Sequence, residues 1–291
     1  MLHPLLLHNG EIKAAGEMCL QPGQDGLLAG WGVFSTIKVA AGVLFEFERH
    51  WARLNRDADS LRVPFPWDIE SLRSLLLELV EANRAYDATL RIVVVRNAGT
   101  MWAGANSCGP ADLLAFTASR RQWGASARLG VVANARHAGS QFAGSKTTSW
   151  AHNLVWLEEA HLRGFDEVVL LNERGEVSEC TSANIFAAFG AEVLTPPLSS
   201  GCLPGVTRDL LLETIQVPSC RVREATLLLE DLERADGIFI TSTTRDLLPV
   251  SQIEGLSIGQ NHAARNALMD AFALHQTGYC GKLNQMKGTQ V

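Results

Sequence analysis

Few residues in this chain could serve as a reactive amine. Of its 25 basic residues only five are lysines: Lys13, Lys38, Lys146, Lys282 and Lys287. Lys146 stands in Ala143-Gly144-Ser145-Lys146-Thr147-Thr148-Ser149, between a predicted strand and a predicted helix. A lysine on a surface loop is the plain alternative. Residues 139–147 nearly spell a nucleotide-binding loop, but Ser145 separates Gly144 from Lys146. Such a loop needs its lysine directly after the glycine to reach the phosphates, so an NTPase is disfavoured.

Four further features could bind anions or supply an acid. Gly205-Val206-Thr207-Arg208 opens a predicted helix. Helix starts present free N–H groups and the positive dipole end, which suit a phosphate, and glycine lets the backbone come close. A simple helix start after Pro204 reads equally well. Thr241-Ser242-Thr243-Thr244 follows a strand and could form a second anion cup, or only a hydroxyl-rich turn. Glu179, at the end of a hairpin strand, could keep a pyridine nitrogen protonated, or be a solvated acid. Arg53 follows His50 by three on a predicted helix, so both share a face. Its guanidinium could grip phosphate oxygens, or simply lie at the surface. Each feature is modest alone, but together they make one cofactor site: an amine, a ring-nitrogen acid, two phosphate cups and a phosphate arginine.

The elements that must position these groups are mixed α and β. Residues 32–39 read as a strand turning at Ala41-Gly42. Residues 45–61 and 71–82 have helical apolar spacing. Residues 89–96 and 113–118 are strand-like, and residues 121–124 look like a linker. Beyond it, residues 129–133 read as a strand and 149–163 as a helix stopped by Gly164. Residues 167–171 and those from Val177 onward flank the hairpin turn 172–175. Residues 184–189 and 237–240 are further strands, and 206–215 a helix. The organisation expected is an N-terminal α/β domain over 1–120, a linker at 121–124, a second domain over 125–278, and a flexible tail over 279–291.

Bulk composition bounds the function. The 291 residues are 47% hydrophobic and 19% charged, ordinary for a globular protein. The net charge of -6 and the lack of a basic run argue against nucleic acid or anionic membrane. No apolar stretch is long enough to span a bilayer, and the opening ten residues are too short and uncharged for a signal peptide. Cys19, Cys108, Cys180, Cys202, Cys220 and Cys280 show no paired spacing. Free thiols in a cytoplasmic protein without a metal are therefore expected.

Taken in order, the residues from Lys146 to Arg208 resemble the class IV (fold type IV) pyridoxal 5'-phosphate enzymes. That family includes branched-chain aminotransferases, D-amino-acid aminotransferases and 4-amino-4-deoxychorismate lyases. The resemblance rests on Lys146-Thr147, Asp166-Glu167, Gly175 with Val177-Ser178-Glu179, Asn184 with Phe186, Thr195-Pro196-Pro197 and residues 203–208. Weaker matches lie at residues 32–34, 50–54, 242–244 and 249–250. It implies a two-domain α/β fold, with a smaller N-terminal domain, a pseudo-barrel C-terminal domain and the cofactor in the cleft. It implies that Lys146 carries the cofactor as a Schiff base and moves the proton at the reacting carbon, while Glu179 pairs with the ring nitrogen. It assigns the phosphate to Arg53, Val206, Thr207 and Thr243, with Asn184, Leu203, Gly205 and Ser242 around the cofactor, and implies a homodimer.

Three departures matter. The family's Gly-Asp-Gly is Gly30-Trp31-Gly32 here, and Trp150 stands near the place of a tyrosine. Phe34-Ser35-Thr36 lacks the glutamate many transaminases carry and is closer to the lyase pattern. Two reactions stay open: transamination between an amino acid and a 2-oxo acid, preferred on residues 203–208, and pyruvate elimination yielding 4-aminobenzoate. A non-catalytic binding protein of the same fold is the remote third. Phe34, Thr36 and Thr244 are candidate substrate contacts. One of Lys38, Arg91 or Arg96 is expected to bind a substrate carboxylate. Arg91 and Arg96, five apart on one strand, should point to opposite faces.

Overall fold

Residues 88–96 alternate buried and partly exposed side chains, the signature of a half-buried strand. They form the fifth strand of a sheet described, with the rest of the chain, in a computed structural model covering residues 1–18, 24–97 and 109–288. Cys19 and Cys108 lie outside these described residues. The chain divides into two units.

The first unit comprises residues 1–121, 145–150 and 278–291. Its elements in chain order are β1 (Leu2–His8), β2 (Glu11–Ala14), α1 (Asp25–Leu28), β3 (Gly32–Ala40), β4 (Val43–Leu44), α2 (Phe47–Ser60), α3 (Ile69–Ala82), β5 (Ala88–Arg96) and β6 (Ala111–Ser119). The sheet runs β2-β1-β6-β5-β3-β4. The β3–β4 turn has both Ala41 (φ 49°) and Gly42 (φ 72°) left-handed, the twist that a two-residue hairpin prefers. Asp68 caps α3, accepting from the N–H groups of Glu70 (3.1 Å) and Ser71 (3.0 Å). Leu72, Leu76 and Leu79 of α3 and Phe47, Leu54 and Ala58 of α2 join the sheet's apolar side chains in one core. The buried stripe of α2 also carries His50, Arg53 and Asp57. Buried polar groups at core spacing are costly unless partnered, so this stripe needs partners.

The second unit comprises residues 122–144 and 151–277. It contains β7 (Ala127–Arg136), α4 (Ala151–Leu162), β8 (Glu167–Asn172), β9 (Val177–Cys180), β10 (Asn184–Phe189), β11 (Glu192–Thr195), α5 (Val206–Glu213), β12 (Arg221–Glu224), α6 (Leu229–Arg234), β13 (Gly237–Ser242) and β14 (Asp246–Ile253). The strand order is β12-β11-β10-β13-β14-β7-β8-β9. The register of β10 against β13 places Asn184 beside Thr241, so the turn leading into β10 and the turn after β13 lie at the same end of these two neighbouring strands.

Two expectations change. Residues 145–150 group with the first unit, so a single cut at 121–124 does not describe the division. The cause is pairing: Val33 and Thr147 form an antiparallel bridge, making this segment an edge partner of β3. The expected loose tail from residue 279 is instead helical through residue 288, within α7 (Ala263–Gly288). Its sequence is rich in Gly and Gln, but Tyr279 packs edge-on to Phe45 at 5.4 Å and its hydroxyl donates to Glu48 Oε2 at 2.7 Å.

Candidate active site

In the first unit the site is built on the edge of β3. The Phe34 N–H donates to the Lys146 carbonyl at 3.0 Å, and the Lys146 N–H donates to Asp57 Oδ2 at 3.1 Å. Lys146 is thus fixed at both backbone polar groups. Asp57 is fully buried and holds Arg56 at 2.6 Å through its other oxygen. The segment is strapped down further by Thr148 Oγ1 and Ser149 Oγ, which donate to the Gly30 carbonyl at 2.7 and 2.8 Å. Gly30 must be glycine: its φ is +61°, and a Cβ would lie 2.7 Å from Ser149 Oγ.

Opposite Phe34 in this pairing, Lys146 places Nζ 4.5 Å from the Phe34 ring centroid. The Arg91 guanidinium lies over the same ring at 4.3 Å, and Trp150 meets it edge-on at 6.4 Å. Thr36 pairs directly with Arg91, and Lys38 with Thr89. Alternation puts Phe34, Thr36, Lys38 and Arg91 on one face of β3 and β5. Lys38 is buried there. Arg96 belongs to the other face, over the Trp31 ring at 4.4 Å and bonded to the Arg62 carbonyl. Trp31 donates to the Leu61 carbonyl at 2.7 Å, so its side chain serves the end of α2. Of the three candidate cations, Arg96 does not join the lysine.

Arg53 is held from the β3 strand. Its Nη2 donates to Ser35 Oγ at 3.1 Å, and Ser35 Oγ lies 2.9 Å from His50 Nδ1. Burial, then the charges of Arg53 and Lys146, push the His50 pKa well below the ordinary histidine range. Neutral His50 can accept the Ser35 hydroxyl proton, leaving that oxygen's lone pairs to Arg53.

In the second unit Glu179 lies on β9. Its Oε1 accepts from Arg136 Nε at 3.1 Å and its Oε2 from the Leu203 N–H at 3.1 Å. Asn184 Nδ2 donates to the Leu203 carbonyl at 2.8 Å. One backbone residue, Leu203, is therefore gripped by both side chains, and this fixes the approach to α5. Gly205 follows, where a Cβ would meet Asn184 Oδ1 at 2.1 Å. No side chain caps α5 at Gly205, and Val206 and Thr207 at its start are buried. The first-turn N–H groups have no side-chain acceptor from the cap position. Arg208 is buried against the Pro196 carbonyl at 2.9 Å and Glu224, a structural role. In the turn after β13, the Arg245 N–H donates to Ser242 Oγ at 3.2 Å, and Trp123 Nε1 donates to the Thr244 carbonyl at 2.8 Å.

Sequence reasoning assigned no role to Asp57, Arg136, Trp123 or Arg245. Asp57 carried a usable signal: an acid four residues after Arg53 on a stripe with apolar spacing. Arg136 and Arg245 carried none, because their partners are remote in sequence.

The family model for amino-transferase class IV matches residues 32–253. A Methanocaldococcus jannaschii protein assigned as a branched-chain-amino-acid aminotransferase is 30% identical over 85% of this chain and 87% of its own. The D-alanine aminotransferase of Bacillus licheniformis is 27% identical over 87% and 90%. The fold matches that of Escherichia coli branched-chain amino acid aminotransferase, with a TM-score of 0.86 at 23% identity, covering 95% of both chains. The chain belongs to the class IV aminotransferases, a fold type IV family of pyridoxal 5'-phosphate-dependent enzymes.

Proposed function

We propose that this enzyme is a transaminase moving an amino group between an amino acid and a 2-oxo acid, with Lys146 as cofactor lysine and proton carrier. The observation that carries the reading is the shared Phe34 ring: the Lys146 amine and the Arg91 guanidinium both lie over it, at 4.5 and 4.3 Å. An amine for chemistry and a cation for a carboxylate thus stand on one sheet face. Branched-chain amino acids are the first donors to test, since the Methanocaldococcus relative bears that name.

The residues suit the cofactor. A helix start without a side-chain cap offers N–H donors at Val206 and Thr207, which fits a phosphate. In the second unit Thr243 joins that role, with Ser242, Asn184 and Leu203 around the cofactor and Gly205 keeping the approach open; in the first unit Arg53 is read as the phosphate arginine. Glu179 is a carboxylate fixed at both oxygens, able to hold a proton on a ring nitrogen. Bound pyridoxal phosphate supplies an electron sink for the substrate's α-carbon. Lys146 Nζ would take the proton from that carbon and return it two bonds away, on the far side of the amino nitrogen. In the first unit Arg91, with Thr36 and Lys38, orients the substrate's carboxylates, and in the second unit Thr244 is a substrate contact. Cytoplasmic location and a homodimer belong to the same proposal. They are supported by the free thiols of Cys180, Cys202, Cys220 and Cys280 and by Leu154, Val155 and Leu162 exposed on α4.

The test is the absorbance of the purified protein before and after borohydride. A near-UV to visible band that borohydride bleaches, and that Lys146→Ala lacks, is expected. A protein that stays colourless after pyridoxal phosphate is added would overturn the reading. An amino-donor panel with 2-oxoglutarate or pyruvate, run beside a 4-aminobenzoate assay, then separates amino transfer from pyruvate elimination.

A further inference from the structure

Glu167 is 1% exposed and accepts from an unusual number of donors. Its Oε1 takes the Val168 N–H at 3.0 Å, the Thr181 N–H at 3.2 Å and the Thr181 hydroxyl. Its Oε2 takes the Ser182 hydroxyl at 2.6 Å and Arg245 Nη2 at 3.0 Å. The Arg245 side chain is 5% exposed. Its Nη1 donates to the Ser182 carbonyl at 3.2 Å and to Ser242 Oγ at 3.4 Å. Its guanidinium lies over the Trp123 ring at 3.9 Å, while Trp123 itself holds the Thr244 carbonyl.

This pair does more than neutralise itself. Thr181 and Ser182 connect Glu179 on β9 to Asn184 on β10, and Ser242 to Thr244 form the turn after β13. The two turns lie at the same strand ends, where Asn184 pairs with Thr241. Arg245 is the residue that touches both. A forked guanidinium with one nitrogen on Glu167 and the other on Ser182 and Ser242 has a single orientation. Stacked on Trp123, it has little freedom to leave it. We propose that Arg245, set by Glu167 and Trp123, is a positioning residue that orients the Ser242-Thr243-Thr244 turn for the cofactor's phosphate. The proposal rests on the reading of that turn as a phosphate site. Ser242 Oγ accepts from Arg245, so its hydroxyl proton is free to point toward Thr244 Oγ1, 3.5 Å away. Phosphate contact is thereby left to Thr243 and the turn's N–H groups.

The test is equilibrium titration of the apoenzyme with pyridoxal 5'-phosphate and, separately, with pyridoxal, which lacks the phosphate. The variants are Arg245→Lys, Glu167→Gln, and Thr243→Val combined with Thr244→Val. Arg245→Lys keeps the charge and loses the fork, and Glu167→Gln keeps the shape. Each is expected to weaken pyridoxal phosphate on the order of tenfold, the worth of about one charge-assisted hydrogen bond, and to leave pyridoxal within about twofold. Thermal melting, recorded in parallel, reports any purely structural effect. If both variants lower the melting temperature but keep the wild-type ratio of the two affinities, Arg245 is a fold staple and the proposal falls. If the double threonine variant shifts both ligands alike, the turn is no phosphate site, and the underlying reading falls with it.

Discussion

The Arg91 guanidinium lies 4.3 Å from the Phe34 ring centroid. Among the described residues it has no carboxylate partner, and burial lowers its pKa from the ordinary arginine value. Guanidinium stays charged in proteins, so a partly desolvated cation here favours an incoming anion. Arg91→Met is expected to raise the KM for 2-oxoglutarate on the order of tenfold to a hundredfold, as loss of a charge-assisted contact does. Monocarboxylate 2-oxo acids should suffer less. Arg96→Met, on the opposite face, should change the melting temperature instead of KM. Steady-state kinetics on both variants checks the assignment, and equal KM shifts would sink it.

A second expectation concerns pH. His50 is fully buried and held neutral by burial, by Arg53 and by Lys146. Its pKa is lowered in the folded state, so below about pH 6.5 the unfolded chain binds a proton that the native state refuses. Stability contributed by neutral His50 is therefore complete at higher pH and is lost as pH falls through that value. The slope is at most about 1.4 kcal/mol per pH unit. His50→Asn keeps an acceptor near the Nδ1 position and cannot take up the proton. Chemical denaturation between pH 5 and pH 7.5 should show a shallower acid slope in this variant than in the wild type. Identical slopes would mean His50 protonates in the native state.

Much of the fold was legible in the sequence, and the reasons differ by element. β10 and the start of α5 fall where the short apolar run and the Pro204-Gly205 signal put them, because both are local effects. The lysine, the ring-nitrogen acid and the helix start were visible as motifs. The partners of those groups were not. Arg136 reaches Glu179 across 43 residues and Arg245 reaches Glu167 across 78, and no periodicity encodes such pairings. The same holds for residues 145–150, whose grouping with the first unit depends on a β-bridge to Val33. The end of α7 was misread because glycine lowers helix propensity, while Tyr279 and Phe45 supply tertiary packing that overrides it.

Gly205 gives a third prediction. A Cβ there would lie 2.1 Å from Asn184 Oδ1, and Asn184 is one of the two side chains that hold Leu203. Gly205→Ala must push Asn184 aside and loosen the entry to α5. A loss of roughly 1–3 kcal/mol in stability is expected, the usual range for overpacking, together with weaker pyridoxal phosphate binding by the apoenzyme. Pairing Gly205→Ala with Asn184→Ala removes the clash, so the double variant should recover stability relative to the sum of the single changes. A fully additive pair would show that the collision is absorbed elsewhere.

Deleting residues 279–291 tests the last turns of α7. The Tyr279 ring packs on Phe45 at 5.4 Å, its hydroxyl donates to Glu48 at 2.7 Å, and Cys280 is buried. Glu48 also pairs with Arg73 of α3 at 3.0 Å, so the helix end braces α2 where it meets α3. Truncation would expose the Phe45 ring and strip the hydrogen bond from Glu48, at a cost of about 2–4 kcal/mol, comparable to removing a large buried side chain. A dispensable tail would leave the melting temperature unchanged. Tyr279→Phe separates the two contributions: it keeps the ring contact and removes only the hydroxyl, so its loss should be about 1 kcal/mol. Thermal denaturation of the truncated chain and of Tyr279→Phe side by side decides whether ring packing, and not the hydrogen bond, holds this helix end against α2.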